Sequence, residues 1–255
     1  MKTIKYKNKL NLNCGIIWFC KDIKDLGKDL DIVELNGYPH KIKNAKKQSS
    51  LILNLEISEE EIFNEIKKNV KYEINRCYKE NVKATIYNSK ELSNEKEELL
   101  NFKETYNKMY EEKNLSARLD LKLVQKYIDN NLFYLTKSHM DEKTLSYHAY
   151  LSDGKETRLL YSCSTFRSEK EESALIARAN KFLHWEDIKY FKSIKVKVYD
   201  FGGISSFENP NGIDKFKMAF GGEKIEYYNI TFGKNLKGKL FVFATKIKKI
   251  FRRKH

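Results

Sequence analysis

At 255 residues, 41% of them hydrophobic and 13% aromatic, the chain holds one large or two small folded domains and is not a disordered or low-complexity polymer. Its formal net charge of +14 implies an acidic partner: nucleic acid, an acidic carrier protein, a phosphorylated substrate or an anionic lipid surface. No run reaches membrane-span length, no apolar signal core opens the chain, and Cys14, Cys20, Cys77 and Cys163 form no Cys-x-x-Cys pair, so a cytoplasmic protein without disulfides or metal is expected.

Residues 1–57 read as mostly extended, with Cys14 to Cys20 and Ser50 to Leu55 as the clearest strands and Asn36-Gly37 as a turn between them. Ser58 opens a helix, with Glu61 at capping-box spacing. Ile62, Ile66, Val70, Ile74 and Cys77 recur at helical spacing and face a core. The other side carries Lys67, Lys68, Lys71, Arg76 and Lys79, either a solvated face or an anion contact. A strand follows at Val82 to Tyr87, then helical segments near Leu92 to Lys113 and Leu121 to Asn130. Strands at Leu132 to Thr136, Leu145 to Leu151 and Thr157 to Ser164 come next, the last two joined by an Asp153-Gly154 hairpin. A long helix runs from about Glu171 to Tyr190, with Leu175, Ala179, Leu183 and Ile188 on one side.

The run Ile194 to Val198 alternates apolar and basic residues and reads as a strand entering Tyr199-Asp200-Phe201-Gly202-Gly203-Ile204. Gly212 to Ala219 reads as a short helix stopped by Gly221-Gly222, and Lys224 to Phe232 as a further strand. The paired glycines are either tight turns or bare backbone bordering a cleft. From Lys234 to His255 there are nine Lys or Arg and no acid. Leu240, Phe243, Ile247 and Ile250, with Phe251 beside it, recur there at helical spacing, the pattern of a helix lying in a membrane interface. Two other readings stay open: a final strand over Lys239 to Thr245, or a tail gripping tRNA phosphates.

From Val82 onward the order is β-α-α-β-β-β-α-β-α-β, which resembles the GNAT acyltransferase fold. Three passages resemble the FemABX branch, related to the peptidoglycan-bridge aminoacyltransferases. They are Lys71-Tyr72-Glu73-Ile74-Asn75-Arg76 with Lys79-Glu80-Asn81-Val82, then Ala179-Asn180-Lys181-Phe182-Leu183-His184-Trp185, and Tyr199 to Ile204 with Phe216-Lys217. The implied fold class is α+β, a mixed and mostly antiparallel sheet flanked by helices. Residues 1–80 would be a reduced N-terminal α/β half, 81–235 the GNAT-like domain and 236–255 a basic amphipathic tail.

The resemblance implies transfer of an activated acyl group onto an amine, which needs positioning, a base and oxyanion stabilisation. In such folds the fourth and fifth strands splay apart around the acyl carbonyl. Tyr161, Ser162 and Ser164 then line one side, and Tyr199, Asp200, Gly202 and Gly203 the other. Asp200, His184 and Tyr161 are the candidate catalytic groups, although Asp200 can equally bond turn amides and a lone helical His such as His184 is more often structural. A Cys163–His148 nucleophile pair is a further arrangement, against which stands the usual role of a strand Cys as a small buried apolar residue. Lys71, Arg76, Lys215 and Lys217 are candidate phosphate contacts, each also readable as a solvent-facing base. The segment Ser164 to Glu172 lacks the glycines of a CoA pyrophosphate loop, which favours aminoacyl-tRNA or an acyl-carrier protein over acyl-CoA, with no bound cofactor. The expected acceptor is a phosphorylated or lipid-linked envelope precursor, for peptidoglycan or surface polysaccharide. That places the protein in the cytoplasm, with peripheral contact at the inner membrane face through 236–255. Two alternatives stand: an acyl-CoA-dependent sugar N-acyltransferase, and a non-catalytic basic module binding RNA or an anionic surface.

Overall fold

A computed structural model describes residues 1–27, 29–165 and 170–251. In chain order the elements are strands Lys2–Lys7 (β1), Asn13–Trp18 (β2), Ile32–Tyr38 (β3) and Lys46–Asn54 (β4), then helices Glu59–Glu65 (α1) and Lys68–Lys79 (α2). Strand Lys83–Asn88 (β5) precedes helices Ser89–Leu92 (α3), Lys96–Glu112 (α4) and Leu121–Asp129 (α5). Strands Phe133–Met140 (β6), Lys143–Ser152 (β7) and Glu156–Ser164 (β8) lead into the long helix Lys170–Ser193 (α6). Strand Val198–Ile204 (β9), helix Gly212–Met218 (α7), strand Glu223–Gly233 (β10) and helix Leu236–Phe251 (α8) complete the series.

Local chemistry explains where the elements start and stop. Ser58 and Glu61 form the expected capping box, with Glu61 N–H 3.1 Å from Ser58 Oγ. The single helix expected from the apolar spacing is nevertheless two. Ile66 is extended, and the Lys67 N–H leaves the helical ladder to donate to the Ala219 carbonyl at 2.9 Å. Both helices still bury the predicted face, because Ile62, Ile66, Val70, Ile74 and Cys77 are all in the core. Asn36-Gly37 is not a turn: it lies within β3, where Gly37 takes φ +67° and its N–H donates to Asn229 Oδ1 at 2.7 Å. Asp153-Gly154 is the expected hairpin, with Gly154 at φ +86°. Residues 194–197 lie outside β9, and Gly202-Gly203 sit inside that strand rather than in a turn after it.

Contacts divide the chain into residues 50–224 and a second unit of residues 1–49 with 225–255, so the divisions fall elsewhere than at 80/81 and 235/236. The reason is that α1 and α2 pack into the same core as α6 and β9, around Ile62, Ile74, Phe182 and Phe201. Within residues 50–224 the strand order is β4-β9-β8-β7-β6-β5. β5 to β8 are antiparallel neighbours, and β8 and β9 are parallel. The register of β7 against β8 slips between Ala149 and Tyr150, so Leu160 is an extra residue in β8. In the other unit β2 lies between β1, antiparallel, and β3, parallel, and β3 pairs antiparallel with β10. Ile17, Leu30, Val33 and Leu35 form one of its clusters, and Cys14, Ile32 and Val242 another. Residues 239–245 are helical, which corrects the alternative of a final strand there. Among the described residues no helix is long and apolar enough to cross a membrane.

Candidate active site

Parallel pairing of β8 with β9 runs only from Glu156–Val198 through Arg158–Asp200. Beyond that rung the strands part, and the gap between Leu159–Ser164 and Phe201–Gly203 opens into a cleft of about 550 Å³. α4, α6 and α7 supply its remaining walls through Tyr110, His184, Phe216 and Lys217.

The fork is braced from below. Arg158 Nη1 donates to Asp200 Oδ2 at 2.5 Å, and both side chains are buried. Asp200 Oδ1 accepts the Gly202 N–H at 2.7 Å, and the Ser50 hydroxyl sits between that carboxylate and the Gly202 carbonyl, 2.6 Å from the latter. Gly202 has φ +75°, and a β-carbon there would lie 2.8 Å from the Leu159 carbonyl oxygen, so both conformation and space require glycine. Asp200 is thus tied into the brace and is not among the residues lining the cleft.

Behind the cleft lies a buried polar chain. Tyr150 O–H donates to Asp187 Oδ2 at 2.6 Å. Tyr150 and Tyr199 hydroxyls are 2.6 Å apart, and Tyr199 O–H is 2.7 Å from His184 Nδ1. Because the Tyr150 proton is committed to Asp187, Tyr199 donates to Tyr150, and His184 Nδ1–H donates to Tyr199. That assignment leaves the His184 lone pair on Nε2. Burial, then the neighbouring His148 ring and the Lys217 ammonium, hold the His184 pKa well below its ordinary value, so the ring is neutral at neutral pH. Burial and the Asp187 charge push both Tyr150 and Tyr199 well above the ordinary phenol value.

Lys217 enters the cleft from α7 and donates to the Gly203 carbonyl at 2.9 Å. Burial lowers its pKa from 10.5 to about 8 against the raising influence of Asp200. Opposite stands an aromatic wall: Tyr106 stacks on Tyr110 at 4.5 Å and meets Tyr161 edge-on at 5.4 Å. Burial raises the Tyr161 pKa.

The cleft brings together Tyr161, Ser162, Ser164, His184, Gly202, Gly203 and Lys217 of the residues expected from sequence. Tyr199 lies behind it, joined through His184. Lys71, Arg76 and Lys215 are elsewhere. Lys71 donates to the Asn64 carbonyl at 3.2 Å and lies over the Phe63 ring, Arg76 pairs with Glu80 at 2.8 Å on α2, and Lys215 is exposed on α7. The Cys163–His148 pair does not form, since Cys163 stands opposite Tyr147 and His148 opposite Ser162, which puts the two on opposite faces of the sheet. Burial also pushes the Cys163 thiol up, away from the thiolate. The loop at 166–169 lies outside the described residues.

Sequence reasoning missed Arg158, Ser50, Tyr150 and Asp187. Two spacings pointed to the last pair: His184-x-x-Asp187 puts both on one face of a helix, and His148-x-Tyr150 puts both on one face of a strand. His148, His184 and Asp187 also bring ligand-type atoms within 4.8 Å of one another. His148 Nδ1 meets Asp187 Oδ2 at 2.7 Å, His148 Nε2 meets the Asn180 amide at 2.6 Å and His184 Nδ1 is held by Tyr199, whereas the buried Asp187 Oδ1 has no hydrogen-bond partner among the described residues. The three side chains are thus joined with Tyr150 and Tyr199 in one hydrogen-bonded relay.

The strand order, the parallel fork and the bulge before it define a GNAT-type fold, as the FemABX resemblance implied. No protein-family model matches the chain, and no curated protein matches it by sequence. Solved structures do match. The fold is similar to FemX, with a TM-score of 0.62 over 89% of this chain and 83% of that one at 12% identity. It is similar also to the C-terminal domain of a putative lysylphosphatidylglycerol synthetase from Agrobacterium fabrum, with a TM-score of 0.58 over 96% and 88% at 8% identity. A conserved protein of unknown function from Bacteroides thetaiotaomicron matches at a TM-score of 0.51, 10% identity and 85% and 78% coverage. At these identities the likeness concerns the fold.

Proposed function

We propose that the protein is an acyltransferase that moves an aminoacyl or acyl group onto an amine of a cell-envelope precursor. The observation that carries this reading is the opened β8–β9 fork with the neutral His184 imidazole lining it. In the reaction, His184 Nε2 takes a proton from the attacking amine as the new C–N bond forms. The acyl–oxygen or acyl–sulfur bond to the carrier then breaks, and the carrier leaves with a proton. The imidazolium formed is stabilised through Tyr199, Tyr150 and the Asp187 carboxylate. Lys217, protonated at neutral pH, supplies positive charge for the oxyanion. The residues lining the cleft include Lys113 and Lys217 and, among the described residues, no carboxylate, which suits an anionic substrate.

The glycine-free segment after β8 supports aminoacyl-tRNA or an acyl-carrier protein as donor, over acyl-CoA. FemX and the lysylphosphatidylglycerol synthetase domain support a lipid-linked or phosphorylated envelope acceptor, met on the cytoplasmic side. The test is transfer of radiolabelled amino acids from a charged tRNA pool onto a nucleotide-linked muropeptide or onto phosphatidylglycerol, with acetyl-CoA run in parallel. His184→Ala should lower the rate by about 10² or more. Turnover with acetyl-CoA and none with charged tRNA or acyl-carrier protein would transfer the assignment to a small-donor enzyme.

A further inference from the structure

Over its described side chains, residues 236–247, helix α8 packs through one side. Gly238 lies against the Asp31 carbonyl, where a β-carbon would sit 1.9 Å from the oxygen, and Val242 is buried with Cys14 and Ile32. On the opposite side Leu236 is 73% exposed, Leu240 61%, Phe243 65% and Ile247 39%. Their spacings of four, three and four residues, at about 100° per residue, set all of them within a stripe of about 60°. Lys237 flanks this stripe on one side and Lys239 and Lys246 on the other, all three exposed. The helix contains no Asp or Glu.

From this geometry we infer that α8 is a membrane-docking helix, which lies in the interface of an anionic bilayer with Leu236, Leu240, Phe243 and Ile247 among the acyl chains. Charge complementarity selects this occupant. Lysines on both edges of the stripe run their aliphatic stems along the apolar surface and present ammonium groups at headgroup level. An anionic surface is attracted by each of them, and the helix itself carries no acid to oppose it, the nearest being Asp31 on its packed side. The inference stands apart from the transfer chemistry.

The test is flotation of the full chain with phosphatidylcholine vesicles and with vesicles containing phosphatidylglycerol. Removing the helix would strip Val242 and Gly238 from their packing, so substitutions at exposed positions are the cleaner perturbation. The wild-type chain should float with the anionic vesicles and be released by salt. Leu240→Glu with Phe243→Glu should weaken binding about tenfold or more, with an unchanged thermal melt because neither side chain is packed. Lys237, Lys239 and Lys246 changed together to Gln should abolish the preference for anionic lipid. Equal flotation of wild type and the double variant overturns the inference. So does failure of the wild type to float, whether the stripe then proves to join two copies in size-exclusion chromatography or to hold RNA.

Discussion

Lys217→Met is the substitution whose effect on stability runs opposite to its effect on activity. Burial holds the native ammonium near a pKa of about 8, whereas the unfolded chain keeps its proton to 10.5. That depression corresponds to about 3 kcal/mol against the charged form at neutral pH. The hydrogen bond to the Gly203 carbonyl, worth about 1 kcal/mol, offsets part of it. Lys217→Met should therefore stabilise the fold by about 2 kcal/mol near neutral pH, while removing the charge proposed for the oxyanion. The sign with pH follows. Between about 8 and 10.5 the unfolded state binds more protons than the native one, so wild-type stability rises with pH through that window. A methionine side chain has no proton to lose, and the variant's curve should lack that rise. Urea denaturation at about pH 7 and about pH 9.5 measures both curves. Parallel pH profiles for the two proteins, or a variant less stable at neutral pH, would refute the burial argument.

Other outcomes follow from the fork and its walls. Arg158→Met should cost about 3–5 kcal/mol by leaving the Asp200 charge buried and uncompensated, and adding Asp200→Leu should restore part of it, as measured by denaturant midpoints. Gly202→Ala should cost about 2 kcal/mol or more, since it adds a left-handed strain to a contact with the Leu159 carbonyl. Gly203→Val should abolish transfer by filling the cleft while circular dichroism stays native. The transfer rate should fall as pH rises through about 8, where Lys217 loses its charge, and a rate still climbing there would remove Lys217 from the chemistry.

Much of this molecule is readable without coordinates because its signals are local. The Ser58–Glu61 box, the Asp153-Gly154 hairpin and the apolar stripe of Ile62, Val70 and Ile74 each act within a few residues, and each stands where its pattern indicates. The break at Ile66 does not show in sequence, because its cause is the Ala219 carbonyl, more than 150 residues away. Phosphate contacts at Lys71 and Arg76 rest on charge alone, and charge does not say which face of α2 looks at a cleft. The relay is hardest to see, since β7, α6 and β9 each contribute a polar group that becomes unusual only when the others surround it. Gly202-Gly203 in isolation reads either as a turn or as bare backbone beside a cleft; the Leu159 carbonyl close to Gly202 shows what requires glycine there within the strand.

The two buried tyrosines give the site a voice in the protein's alkaline limit. Tyr150 and Tyr199 keep their protons in the fold far above the pH at which an exposed phenol loses its own. Once unfolded they ionise normally, so above about pH 10 the native state holds the extra protons and stability falls as pH rises. Tyrosinate absorbance should then come in two stages, a gradual rise from the exposed rings and a cooperative step as the relay opens. The second step reports the opening of the buried tyrosines as a group, the relay pair with Tyr106 and Tyr147, and needs no substrate.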